Sequence, residues 1–89
     1  MDGQSILKVS IQQVKAARAL LGWSQEQLAD ASGVSIPTIK RLEANDGPLG
    51  GRDVTAEKIK RALENAGVEF IASTDNGSGV RIWKKGKKN

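Results

Sequence analysis

The stretch SQEQLADASGVSIPTIKRLE, residues 24–43, decides the fold. Ser24 and Ser35 each precede a run with helical spacing of apolar residues, and Gly33 separates the two runs. Ser is a preferred N-cap residue and Gly is common just beyond a helix C-terminus, so the stretch predicts helices at 25–31 and 36–44. The short link between them is unsuited to a long antiparallel hairpin, and we expect the helices to cross steeply.

Two further helices are predicted on either side of this pair. Ser10 with Gln13 forms the S-x-x-Q pattern of a capping box, which places a first helix at 11–21. Val54 and Thr55 begin a fourth helical pattern at 56–66, and Gly67 follows it. The core of the chain is therefore predicted to contain four helices.

A β-hairpin is predicted after Gly67, where the apolar period changes from helical to alternating. The runs 68–72 and 80–83 are rich in β-branched and aromatic residues, and the intervening stretch 73–79 contains Asn-Gly. An isolated hairpin is only marginally stable. We therefore expect it to pack on the helices, or to pair with the apolar segment 6–9 or with another chain.

The composition excludes several classes of function. The chain has 89 residues, 38% of them hydrophobic, which predicts one small domain. It has no Cys and no His, so thiol chemistry, disulfides and the usual metal ligands are absent, and no cofactor is expected. The apolar runs are too short to span a membrane, and we expect a cytoplasmic protein. The carboxylates are spread singly and no phosphate-loop motif occurs, so enzyme activity is not expected.

The positive charge is concentrated at the C-terminal end. Residues 1–80 contain nine Lys and Arg and ten Asp and Glu, a net charge of −1, whereas residues 81–89 contain five basic residues and no acidic ones. A basic segment of this kind attracts polyanions, but it is also typical of solvated chain ends. Both interpretations remain open at this point.

Residues 24–43 resemble the phage-repressor type of helix-turn-helix regulators, the Xre or Cro/C1 family, and residues 10–67 resemble it less strictly. The resemblance implies a mainly α, four-helix, lambda-repressor-like domain, here followed by a C-terminal β-hairpin. The expected organisation is an N-terminal arm at 1–9, the helix-turn-helix domain at 10–67, the hairpin at 68–84 and a basic tail at 85–89. The resemblance also implies an ion pair between Arg18 and Glu43 that joins the first helix to the third.

The resemblance implies sequence-specific binding of double-stranded DNA and a repressor-like role in transcription regulation, with helix 36–44 in the major groove. If Ile39 and Leu42 face inward, the helical wheel turns Pro37, Arg41 and Ala44 outward. We therefore expect three residues to contact bases: Ile36, Pro37 and Arg41. Arg41 is suited to bidentate bonds with guanine, and the two apolar residues are suited to thymine methyl groups.

Five residues are candidates for contacts with DNA phosphates. The resemblance assigns this role to Gln25 and Ser35, which also lie at helix starts, where anions bind favourably. Thr38 and Lys40 flank the outward face of helix 36–44, and Arg52 lies in a glycine-rich loop.

One helix contacts only a few base pairs, so a homodimer reading two half-sites is expected, with the hairpin as the dimerisation element. The alternative is a protein-interaction module, such as an antitoxin-like or adaptor protein, whose hairpin offers an edge for strand addition to a protein partner.

Overall fold

The computed structural model describes residues 9–45, 47–49, 54–74 and 77–83. In chain order the elements are α1 (Ile11–Leu21), α2 (Gln25–Ser32), α3 (Ile36–Glu43), α4 (Val54–Asn65), β1 (Val68–Thr74) and β2 (Gly77–Ile82). The predicted mainly α fold with a C-terminal hairpin is confirmed. The strands are longer than predicted, because Gly77, Ser78 and Gly79 belong to β2 rather than to the turn.

Side-chain caps fix where α1 and α2 begin. The Ser10 hydroxyl accepts a bond from the backbone N–H of Gln13 at 3.1 Å, and the side-chain Oε1 of Gln13 accepts one from the Ser10 N–H at 2.9 Å. Ser24 and Gln27 form the same reciprocal box at the start of α2. The predicted capping box at Ser10 and the predicted cap at Ser24 are thus confirmed, and each box satisfies backbone N–H groups that a helix start leaves without partners.

Gly33 ends α2 and sets the turn into α3. Its φ of 78° lies in the left-handed region, which Gly occupies without the steric cost that a Cβ brings. The turn then needs only Val34, which is buried, before Ser35 caps α3.

The core joins all four helices and the hairpin. Its largest fully buried side chains come from every helix and from β1, namely Val14, Leu28, Ile39, Ile59, Leu63 and Val68. Phe70 of β1 is also buried, at 7% exposure. The hairpin packs on α1 through β2 and on α4 through β1, so it is part of the folded unit.

A buried amide attaches α1 to the hairpin. The Nε2 group of Gln13 donates to the carbonyl oxygens of Ile71, at 3.0 Å, and Gly79, at 2.9 Å. These two residues are opposite each other in the antiparallel pair, just before the register shifts between Ile71 and Thr74. Gln13 therefore satisfies strand carbonyls at the place where the regular pairing stops.

A short pairing joins the start of α1 to the segment after α3. The Ile11 N–H donates to the Gly47 carbonyl and the Leu49 N–H donates to the Val9 carbonyl, both at 2.8 Å. Val9 thus pairs with Leu49 and not with the hairpin; residues 6–8, which completed the predicted pairing segment, lie outside the described residues. The predicted arm up to residue 8, Arg52 and residues 84–89 are also outside them.

Candidate nucleic-acid interface

The orientation of α3 is as predicted. Ile39 is 1% exposed and Leu42 is half-buried against the core, whereas Pro37, Lys40, Arg41 and Ala44 are exposed. The exposed residues define one continuous surface, which we call the α3 outer face: Pro37, Lys40, Arg41 and Ala44. This surface is the most exposed part of α3 and its C-cap.

Arg41 lies at the centre of the α3 outer face and is exposed. Its side chain has no ion-pair or hydrogen-bond partner among residues 9–45, 47–49, 54–74 and 77–83. A guanidinium presents its donors in a planar fork that matches guanine O6 and N7 or a phosphate. Lys40 is exposed beside it and adds a second positive charge.

Pro37 and Ile36 differ in how much surface they offer. Pro37 lies in the first turn of α3 and is exposed, whereas Ile36 is half-buried and packs against the core. Of the two apolar residues predicted to contact bases, Pro37 therefore presents more surface to the outside.

The hydroxyl groups at the start of α3 bond to each other. The Ser35 Oγ donates to the Thr38 Oγ1 at 2.9 Å and accepts from the Thr38 N–H at 3.4 Å. One of the two hydroxyl protons is thereby used within the protein, and the other is available to a partner. An anion that approaches the start of α3 would meet this second proton and few backbone N–H groups, because Pro37 has none and the Thr38 N–H is donated to Ser35.

The predicted ion pair between Arg18 and Glu43 is present and bidentate. The Arg18 Nε lies 2.8 Å from one carboxylate oxygen of Glu43, and the Arg18 Nη2 lies 2.6 Å from the other. Arg18 also donates to the Trp23 carbonyl through Nη1 at 2.8 Å. One side chain of α1 thus holds both the end of α3 and the residue before the α2 cap.

Gln25 belongs to the same network, which the sequence did not indicate. Its Nε2 donates to a Glu43 carboxylate oxygen at 3.0 Å. Arg18, Glu43 and Gln25 therefore form one hydrogen-bonded cluster, which we call the Glu43 cluster. The Gln25 side chain, a predicted phosphate contact, is oriented by this bond and keeps one amide N–H and its carbonyl oxygen for other partners.

Electrostatics favour the ionised form of the Glu43 cluster. Burial alone would raise the pKa of Glu43, but hydrogen bonds from Arg18 and Gln25 and the charges of Arg18 and Lys15 together lower this pKa below its ordinary value. The bond to Glu43 likewise raises the pKa of Arg18. The cluster thus remains an ion pair at neutral pH.

Most of the predicted contact residues lie on or beside α3. The helix carries Ile36, Pro37, Thr38, Lys40 and Arg41, and Ser35 is its N-cap. Gln25 begins α2 and is linked to the end of α3 through Glu43. Arg52 lies outside the described residues.

α2 and α3 are joined by a short turn at Gly33, and α3 carries an exposed cationic face. The Glu43 cluster links the end of α3 to the beginning of α2. These features define a helix-turn-helix protein. A family model described as Helix-turn-helix, of the Cro/C1 type, matches residues 14–70, and the chain belongs to this family. It is therefore a member of a family of DNA-binding regulators, which are not typically enzymes. A search of curated proteins found no match.

Two other kinds of site are absent from the residues that the structure describes. None of the helices in the described part of the chain is long and apolar enough to cross a membrane. Within the same residues, no three or more acidic side chains lie together in a way that could hold a metal ion.

Proposed function

We propose that this protein is a sequence-specific, double-stranded DNA-binding transcriptional regulator of the repressor type that places α3 in the major groove. The observation that carries the proposal is the α3 outer face, where Lys40 and Arg41 are exposed and Arg41 has no side-chain partner within the described residues. B-DNA admits one α-helix into its major groove, where the base edges can be distinguished.

The proposed division of roles follows from exposure and hydrogen bonding. Arg41 and Pro37 contact base edges, and Ile36 contributes the part of its side chain that is not packed on the core. Lys40, Thr38, Gln25 and the helix start at Ser35 contact phosphates, which fix the position of the helix but carry little sequence information. Arg52 is retained as a phosphate contact on the basis of its sequence position alone.

A rigid support makes the α3 outer face suitable for reading bases. The Glu43 cluster joins α1, the beginning of α2 and the end of α3, and its bonds are 2.6 to 3.0 Å long. Contacts to base edges depend on geometry within a fraction of an ångström, so a reading helix benefits from fixed neighbours.

We also propose that the protein acts as a homodimer whose hairpins meet. Ile71 and Ile82 are 39% and 37% exposed on the two strands. Within the described residues the sheet has two strands, so each strand has an edge that no other strand covers. Exposed apolar side chains beside open strand edges favour pairing with another strand, and a two-fold dimer would read two half-sites about 10 base pairs apart.

The central experiment is selection of binding sites from random duplex DNA at physiological salt, followed by affinity measurements with Arg41→Ala. We expect an inverted repeat, an affinity that falls steeply with salt, and a loss of about 1–3 kcal/mol in discrimination at one guanine of each half-site for Arg41→Ala. The matched control is Arg61→Ala on α4, because it removes the same charge from an exposed side chain, 68% accessible, away from α3.

Two outcomes would contradict the proposal. One is the absence of an enriched sequence, and the other is an Arg41→Ala protein that binds the selected site like the Arg61→Ala protein. A protein-interaction module would instead retain a protein partner at high salt and be insensitive to the Arg41 substitution, so the same two variants separate the alternatives.

A further inference from the structure

The α3 outer face offers base edges only two kinds of chemistry. Pro37 and Ala44 are apolar, and Lys40 and Arg41 are cationic. Adenine is read by an amide that donates and accepts at the same time, and cytosine is read by an acceptor such as a carboxylate. The α3 outer face has neither group.

The polar side chains next to this face are partly engaged within the protein. The hydroxyl groups of Ser35 and Thr38 bond to each other at 2.9 Å, and the Nδ2 group of Asn45 donates one N–H to the Arg41 carbonyl at 3.0 Å. Glu43 is buried in its ion pair with Arg18. The α3 outer face itself thus offers base edges a cation for guanine and an apolar surface for the methyl group of thymine.

Pro37 is the residue best placed for the apolar contact. It is exposed, its ring is rigid, and it has no N–H to give to a phosphate, so apolar surface is what it contributes to the first turn of α3. Pro37 and Arg41 are one helical turn apart on the same face. Four residues correspond to roughly 6 Å along the helix axis, less than two base steps of about 3.4 Å each.

We infer that Pro37 contacts the 5-methyl group of a thymine that lies within about two base pairs of the guanine bound by Arg41. This inference rests on the proposed function and specifies what α3 reads. The half-site is then defined by one guanine and one thymine methyl group, with no hydrogen-bonded readout of adenine or cytosine from the α3 outer face.

The test uses the selected duplex with each thymine replaced, one at a time, by deoxyuridine, which differs only in lacking the 5-methyl group. For the unmodified protein we expect one thymine per half-site, close to the Arg41-dependent guanine, at which deoxyuridine weakens binding about fourfold, the factor that burial of one methyl-sized group provides. Deoxyuridine elsewhere in the duplex should leave the affinity unchanged.

Two variants test whether the effect of deoxyuridine on binding depends on Pro37. Pro37→Ser replaces the ring with a small polar side chain at an exposed first-turn position and should bind thymine and deoxyuridine duplexes equally. Ala44→Ser makes a comparable change at the other end of the α3 outer face and should retain the deoxyuridine effect. Circular dichroism of both variants checks that the helices are intact.

Each contrary result has a distinct meaning. If no thymine near the guanine is selected, or if no deoxyuridine weakens binding while Arg41→Ala still does, the inference is wrong and the proposed function stands. If Pro37→Ser retains the deoxyuridine effect, the assignment to Pro37 is wrong. If no duplex is bound at all, the inference and the proposed function fail together.

Discussion

At the scale of single residues, the Glu43 side chain combines burial with three hydrogen bonds. Its carboxylate accepts two bonds from Arg18 and one from Gln25, while its side chain is only 6% exposed. A buried charge is tolerated when it is paired and hydrogen-bonded, but removal of one partner leaves the other charge uncompensated. Glu43 is therefore more important for holding the helices than for touching DNA.

We predict that Glu43→Gln lowers the free energy of unfolding by about 3 kcal/mol at neutral pH, because Arg18 loses its counter-charge in a partly buried position. Urea denaturation followed by circular dichroism measures this change. Glu57→Gln on α4 is the control: it removes a carboxylate from an exposed ion pair and should have a smaller effect. Equal losses in the two variants would contradict this prediction.

The pH dependence of the same pair follows from the lowered pKa of Glu43. A carboxyl group with a lower pKa in the folded than in the unfolded state stabilises the fold fully above its ordinary value of 4.5, and this contribution is lost as the pH falls through the folded-state pKa. The difference in unfolding free energy between the unmodified protein and Glu43→Gln should therefore shrink below pH 4.5.

At the scale of elements, Gln13 shows how α1 and the hairpin are joined. Its side-chain Oε1 accepts the capping bond from the Ser10 N–H at the start of α1, while its Nε2 donates to two strand carbonyls. One buried side chain thus performs a local and a long-range role. Without the long-range bonds, the carbonyls of Ile71 and Gly79 would lose a buried partner, which is costly.

We predict that Gln13→Glu lowers the free energy of unfolding by about 1–3 kcal/mol and speeds hydrogen exchange in β1 and β2, because the acceptor for the cap remains but the donor to the strands is removed. The matched control is Gln27→Glu. Gln27 occupies the same capping-box position in α2, but it is exposed. Similar effects of the two substitutions would show that the hairpin does not depend on Gln13.

The elements also show what a sequence can and cannot predict here. Helix starts at Ser10, Ser24 and Ser35 were predictable because their caps involve residues three positions away. The bonds of Gln13 to the hairpin and of Gln25 to Glu43 join residues far apart in the chain, and no local pattern signals them.

The second strand illustrates a different limit. Gly and Ser favour turns, so residues 77–79 are predicted to lie in the turn, yet they belong to β2, where Gly77 pairs with Thr74 and Gly79 pairs with Ile71. Pairing with β1 and the bond from Gln13 to the Gly79 carbonyl outweigh this weak local preference. Among the candidate contact residues, the apolar spacing of α3 predicts which side chains face outward. It does not predict the hydrogen bond between the hydroxyl groups of Ser35 and Thr38.

At the scale of the whole molecule, the hairpin is too well integrated to be removed in a test of dimerisation. Val68 and Phe70 are part of the core, so a chain ending at Gly67 would lose buried apolar residues. Surface substitutions in the complete protein are therefore the appropriate way to ask whether two hairpins meet.

We predict that the unmodified protein is a dimer by sedimentation equilibrium and that Ile71→Lys or Ile82→Lys makes it monomeric, because a charge beside an open strand edge opposes pairing. Leu20→Lys is the matched control, since Leu20 is apolar and 48% exposed but lies at the end of α1. Hairpin variants that remain dimeric, or loss of the dimer in Leu20→Lys alone, would place the dimer contact elsewhere.

The pairing of residues 9–11 with 47–49 has a consequence for the proposed binding of α3 to DNA. This pairing connects the start of α1 to the segment that follows α3, and the Glu43 cluster connects α1 to the last residue of α3. Because α3 is held at its C-terminal end, we expect it to move little when it binds DNA. Where the surfaces of α3 and the DNA do not match, the DNA then has to deform. Stiff and pliable DNA sequences should then be distinguished even at base pairs that no side chain reaches.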